Sequence, residues 1–101
     1  MYSVRYTREA EQDLSRLYDF ILTRDSDDLD PAAQALVAIR DGIRVLERSP
    51  YTCRKATPYS PYLRELVIPF GSAGYVALFE IDGPDFVTIL AVRHQREDDY
   101  H

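Results

Sequence analysis

The sequence predicts an α+β domain of order β-α-α-β-β-β, a helix hairpin packed on a small antiparallel sheet. Three observations predict it. Two stretches carry apolar residues at helical spacing. Three later runs have the alternating or apolar pattern of strands. The joints between them hold the residues that start and stop such elements: Thr7, Asp30-Pro31, Ser49-Pro50 and Asp82-Gly83. At 101 residues the chain has room for one core, so a single domain over 1–101 is expected.

Tyr2, Val4 and Tyr6 alternate with Ser3 and Arg5, a short strand with the aromatics on one face. Thr7 offers a helix N-cap, and Glu9 and Glu11 suit the positive end of the helix dipole. Ala10, Leu14, Leu17, Tyr18 and Ile21 then form one apolar stripe. Arg8, Gln12, Asp13, Ser15, Arg16 and Asp19 form the polar face of this amphipathic helix. The acidic stretch Arg24-Asp25-Ser26-Asp27-Asp28-Leu29 reads as a solvated loop. Asp30 followed by Pro31 starts a second helix, with a capping aspartate and then proline at the first helical position. Ala32, Leu36, Ile39, Ile43 and Leu46 give its stripe. Ala35 and Gly42 beside them permit close approach of another element. Arg40, Arg44 and Arg48 recur every four residues on one face, and Pro50 stops the helix.

Tyr51 to Pro61 has three flanking or internal prolines and no period, so it reads as a connection. Leu66, Ile68 and Phe70 share one face of a strand beginning near Arg64. Pro69 inside it marks an edge, a bulge or the strand's end. Gly71-Ser72-Ala73-Gly74 reads as a turn. Tyr75, Ala77, Phe79 and Ile81 share one face of the next strand. Asp82-Gly83 is a hairpin signal, and Phe86 to Val92 is apolar at nearly every position, as in a central strand covered on both faces.

Composition excludes several classes. One cysteine, Cys53, rules out an internal disulfide and fits a reducing cytoplasm. Cys53 has no evident base beside it, and it reads as an inert loop or core thiol. Two histidines without a cysteine pair make no zinc signature, and neither metal nor cofactor is expected. No membrane span and no signal-peptide core are visible, so a cytoplasmic protein is expected. A net charge of −5 opposes nonspecific nucleic-acid binding but leaves room for a local basic patch. Of the 12 basic residues only Lys55 is lysine; the rest are arginine, the better residue for bidentate and stacked contacts.

Several stretches, in order and at matching separations, resemble the RelE/ParE toxin superfamily over nearly the whole chain. They are Tyr6-Thr7-Arg8-Glu9-Ala10-Glu11-Gln12-Asp13-Leu14, the run Ile39 to Pro50, Leu63-Arg64-Glu65-Leu66, Gly74-Tyr75, and Ile89 to Arg96 with its His-x-Arg ending. The resemblance implies the toxin of a bacterial type II toxin–antitoxin pair. RelE-like members are ribosome-dependent mRNA endoribonucleases, and ParE-like members inhibit DNA gyrase by binding. Val76 stands where the RelE-like pattern has an arginine, the strand before it offers Arg64 and no lysine, and the chain is acidic. These three departures favour the ParE-like branch, a binding inhibitor and not a nuclease.

On this reading Arg64, Arg93, His94, Arg96 and Tyr100 are expected to meet at one end of the sheet as the target-binding patch. Were the chain a nuclease, Arg64, Arg93, His94 and Tyr100 would be its catalytic set, with His94 moving a proton and Tyr100 stacking or assisting. The resemblance also implies a cognate antitoxin. Its helix is expected to lie on the apolar groove by the helix hairpin, using Leu14 and Tyr18, with Arg40, Arg44 and Arg48 supplying positive charge. Partners are thus an antitoxin and gyrase, or alternatively ribosome and mRNA.

Overall fold

Strand β1 (Ser3–Tyr6) enters a five-stranded sheet beside its last strand, and the chain turns at Thr7 into helix α1 (Arg8–Arg24). The computed structural model describes residues 1–24 and 30–97. Thr7 Oγ1 accepts a hydrogen bond from the Ala10 N–H at 3.1 Å, so the cap expected from the sequence forms. Helix α2 (Asp30–Arg44) continues into a 3₁₀ turn at Val45–Glu47. A second 3₁₀ turn, Pro50–Thr52, leads to β2 (Arg54–Thr57), and β3 (Ser60–Phe70), β4 (Ala73–Asp82) and β5 (Phe86–His94) complete the chain. The acidic stretch 25–29 and the expected capping side chain of Asp30 lie outside the described residues.

The strand order is β1-β5-β4-β3-β2. β2 to β5 form an antiparallel meander, as expected for the last three of them, while β1 runs parallel to β5. The sheet is therefore mixed. The connection from β1 to β5 runs through α1, α2 and the strands β2 to β4, long enough for parallel pairing, and both helices pack on one face of the sheet. Leu14 and Leu17 of α1 and Ile39 and Ile43 of α2 pack with Ile68, Tyr75, Ala77, Phe79, Val87, Ile89 and Val92 of the sheet. Phe79, Ile39, Ile43 and Leu46 are fully buried, each stabilising by roughly 1.5–3 kcal/mol relative to exposure. Gly42 does what its position by the stripe suggested. A Cβ there would lie 3.0 Å from Ile68 Cγ1, so its hydrogen lets β3 approach α2.

Four features depart from the sequence reading. Residues 54–57 form an edge strand, not a connection, because their partners lie in the next strand of a hairpin: Arg54 faces Glu65 and Lys55 faces Arg64. β3 accordingly begins at Ser60, with Pro61 tolerated near the strand's start. The turn between β3 and β4 is only Gly71-Ser72, with Gly71 at φ 62°, as a tight two-residue hairpin needs. Finally, the apolar run in β5 does not mark a strand sandwiched between layers. Phe79 faces Ile89 and Leu78 faces Ala91, so Leu90 is an extra, bulged residue. The bulge resets the alternation, bringing both Ile89 and Val92 into the core.

Asp13 departs from the expected pattern as well. It is not on the solvent face of α1 but 5% exposed. Its Oδ2 accepts from the Val92 N–H at 2.9 Å. β1 pairs with β5 only as far as Tyr6 opposite Ile89, so the edge N–H groups beyond that point need other acceptors. Asp13 satisfies one, and the Glu97 carboxylate accepts from the next, His94 N–H, at 3.2 Å. Arg16 lies between the two carboxylates, 3.8 Å from Asp13 and 3.1 Å from Glu97.

Candidate functional site

The end of the sheet where β5 finishes opens into a groove of about 600 Å³. α1 contributes Arg16, Leu17, Phe20 and Ile21, and α2 contributes Pro31 from its first turn. The tight β3–β4 turn supplies Phe70 through Ala73, and the sheet supplies Tyr75 and His94, with Arg96 and Glu97 beyond it. The floor is aromatic. Tyr75 meets Phe70 at 6.1 Å and takes the His94 ring edge-on at 5.4 Å and 89°. Phe20 is 61% exposed on the wall, a large apolar surface that this fold does not cover. Cations and one carboxylate rim an apolar floor, which is the make-up of a pocket for an anchoring side chain.

The rim is stiffened by its own hydrogen bonds. His94 Nδ1 accepts from the Arg96 N–H at 3.1 Å, which leaves the proton of the neutral ring on Nε2. The Gln95 N–H donates to the Gly74 carbonyl at 2.9 Å, and the Glu97 N–H to the His94 carbonyl at 3.0 Å. Gly74 is required there. A Cβ on it would sit 2.2 Å from the Ile68 carbonyl oxygen, so only glycine lets β4 pass β3 at this level.

The residues expected to converge do so only in part. His94 and Arg96 line the groove. Arg93 does not. It faces Val76, which in turn faces Val67, on the sheet surface away from the helices. Its guanidinium donates to the Glu97 carbonyl at 2.7 Å, fastening the turn after β5. Arg64 is elsewhere again. It faces Phe79 on the helix side, roughly 10 Å along the strand from the level of Arg93 and two strands away. Its guanidinium donates to the carbonyls of Pro61 at 2.7 Å, Tyr51 at 2.9 Å and Cys53 at 2.7 Å. Strand alternation alone separates Arg93 from His94; topology separates Arg64 from both. Tyr100 lies outside the described residues.

The expected antitoxin residues also divide. Leu14 is in the core at 3% exposure and presents no surface to a partner. Tyr18 is half-buried at the seam between α1 and α2, where the space left is only about 10 Å³. Arg40 is exposed, 3.7 Å from Glu11 and 5.3 Å over the Tyr6 ring. Burial pushes the Tyr6 phenol up, with Arg40 opposing. Arg44 is exposed beside Asp41 at 4.0 Å. Arg48 lies beyond α2 and its 3₁₀ extension, so the spacing of four does not carry it onto the same helical face. The groove residues that sequence reasoning missed are Phe20, Arg16 and Glu97. Phe20 had a legible signal, an aromatic off the stripe of an amphipathic helix; the pairing of Arg16 with Glu97, 81 positions apart, had none.

Among the described residues no cluster of His, Cys, Asp and Glu has the grouping a metal ion needs. No helix among them is long and apolar enough to cross a membrane.

The fold is similar to that of a solved structure from P. aeruginosa, described as a chromosomal ParDE TA system. The TM-score is 0.74 at 22% identity, over 93% of this chain and 96% of that one. Comparison with curated proteins finds no match. Residues 4–99 match the sequence profile of the family described as the ParE toxin of type II toxin-antitoxin system, parDE. A match over nearly the whole chain, on a helix hairpin and mixed sheet of this order, establishes that the chain belongs to the ParE toxin family.

Proposed function

We propose that this ParE-family toxin acts by binding DNA gyrase, without hydrolysing nucleic acid itself, and is neutralised by an antitoxin that occupies the groove at the end of β5. The observation that carries this reading is the placement of Arg64 and Arg93. A phosphoryl-cleaving site needs cations aimed together at one developing charge. Here the two arginines lie on opposite faces of the sheet, and each guanidinium donates to main-chain carbonyls of its own chain. They support the scaffold, and the surface they leave is suited to recognition.

Within that surface Phe20, Tyr75 and Phe70 would take an apolar anchor from the antitoxin, and Arg96 and His94 would meet polar groups beside it. Arg40 and Arg44, exposed on α2, offer charge for a longer partner segment running over the helices. Arg48 adds charge from the turn that follows.

The test is direct. The purified chain is added to gyrase with relaxed plasmid, and in parallel to translating ribosomes with a reporter mRNA. Loss of supercoiling with accumulating linear DNA, and intact mRNA, is expected. Codon-aligned mRNA cuts with unaffected gyrase would overturn the proposal.

A further inference from the structure

Residues 48–64 contain Arg48, Arg54, Lys55 and Arg64 and no acidic residue, in a chain whose net charge is −5. The same stretch holds Tyr51, Tyr59 and Tyr62, which are 49%, 93% and 52% exposed. These residues form the turn before β2 and the β2–β3 hairpin. They do not line the groove at the end of β5.

The hairpin is pre-assembled. Arg64 ties the Tyr51 and Cys53 carbonyls to the hairpin and also bonds Pro61, next to Tyr62. Its guanidinium lies 5.3 Å from the centre of the Tyr51 ring, holding that ring beside the strand. Lys55 faces Arg64 across the ladder, and the exposed Tyr62 lies two residues before Arg64, where the pairing of β2 with β3 shifts register. Arg54 points to the other face and pairs with Glu65 at 3.1 Å. Pro58 and Pro61 restrict the loop, which lowers the entropy lost on binding.

We infer that this lobe binds single-stranded nucleic acid, with tyrosines stacking on unpaired bases and Lys55 and Arg48 attracting the phosphates. The exposed side chains of the stretch are tyrosines, cations, prolines and one threonine, so it offers the stacking faces and positive charge by which single strands are held. Duplex DNA hides its base faces and could use only the cations. Such binding needs neither gyrase nor ribosome.

Fluorescence anisotropy of labelled oligothymidine and oligouridine with the whole chain, at low salt, tests it. Binding should exceed that of a matched duplex, and log K should fall with log salt at a slope of about −1.4 to −2, for two or three phosphates. Tyr59→Ala and Tyr62→Ala should each weaken binding by at least about five-fold, with Tyr59→Phe restoring it. Lys55→Glu should weaken it further, and the outlying Arg8→Glu should not. No binding of either oligonucleotide, equal loss in Arg8→Glu, or competition by poly-glutamate as effective as by unlabelled oligonucleotide would each overturn the inference; the last would assign the lobe to an acidic protein segment.

Discussion

The carboxylate of Asp13, on the first helix, accepts a hydrogen bond from the main-chain N–H of Val92, on the last strand, at 2.9 Å. It blocks part of a sheet edge that β1 leaves unpaired, and such edges otherwise invite pairing with another chain. Asp13→Ala leaves this N–H buried without its acceptor. The expected loss is about 1–3 kcal/mol, or a melting midpoint lower by several degrees in a domain of this size. Thermal unfolding followed by circular dichroism measures it; an unchanged midpoint would mean that water replaces the carboxylate.

Gly74 is the least replaceable residue of the hairpin beneath the groove. Gly74→Ala must push β4 away from the Ile68 carbonyl, and a loss of about 4 kcal/mol or more is expected. Gly71→Ala, at φ 62° with open space around it, should cost only about 1–2 kcal/mol. Urea midpoints of the two variants should therefore separate widely. Similar midpoints would show that the strands spread at little cost.

Phe20 gives the cleanest separation of binding from folding. At 61% exposure its removal costs the core little. Phe20→Asp should keep the wild-type melting midpoint within a few degrees and lose antitoxin affinity by more than about 2 kcal/mol, the scale of an interface anchor. Calorimetric titration of the antitoxin against the variant decides the matter, and retained affinity would move the antitoxin contact elsewhere.

Cys53 should be a sluggish thiol. Burial raises its pKa, and the nearby Arg64 charge opposes that in part. The thiolate is the nucleophile, so a raised pKa means a smaller reactive fraction at neutral pH. Alkylation by iodoacetamide should be slow at pH 7 and rise with pH through a midpoint above the ordinary cysteine value of about 8.5. A midpoint below that value would mean that Arg64 outweighs burial.

Arg64→Lys should not be conservative. The planar fork reaches the carbonyls of Tyr51, Cys53 and Pro61 at once, and an ammonium on a flexible stem cannot reproduce this. Amide exchange in β2 and the turn before it should quicken by about ten-fold or more, for a loss of roughly 1.4 kcal/mol or more. The α1 and α2 amides should keep their protection.

Much of this protein was legible in its residues. Periodicity placed α1, α2, β4 and β5, and local chemistry placed Thr7 at a helix start and the glycines at two turns, because these depend on neighbours a few positions away. The resemblance, carried by stretches from Tyr6 to Arg96, led to the right family. What the sequence could not decide were relationships across long separations. β2 leaves no signal in the sequence because a strand of four residues is defined by its partner, not by its own pattern. The β5 bulge imitates double coverage in the sequence because one inserted residue changes which side chains face inward. The burial of Asp13 is invisible in the sequence because its acceptor role depends on where β1 stops beside β5. The expected patch broke up for the same reason: strand alternation sent Arg93 and His94 to opposite faces, and register kept Arg64 two strands away, where only the folded sheet could put it.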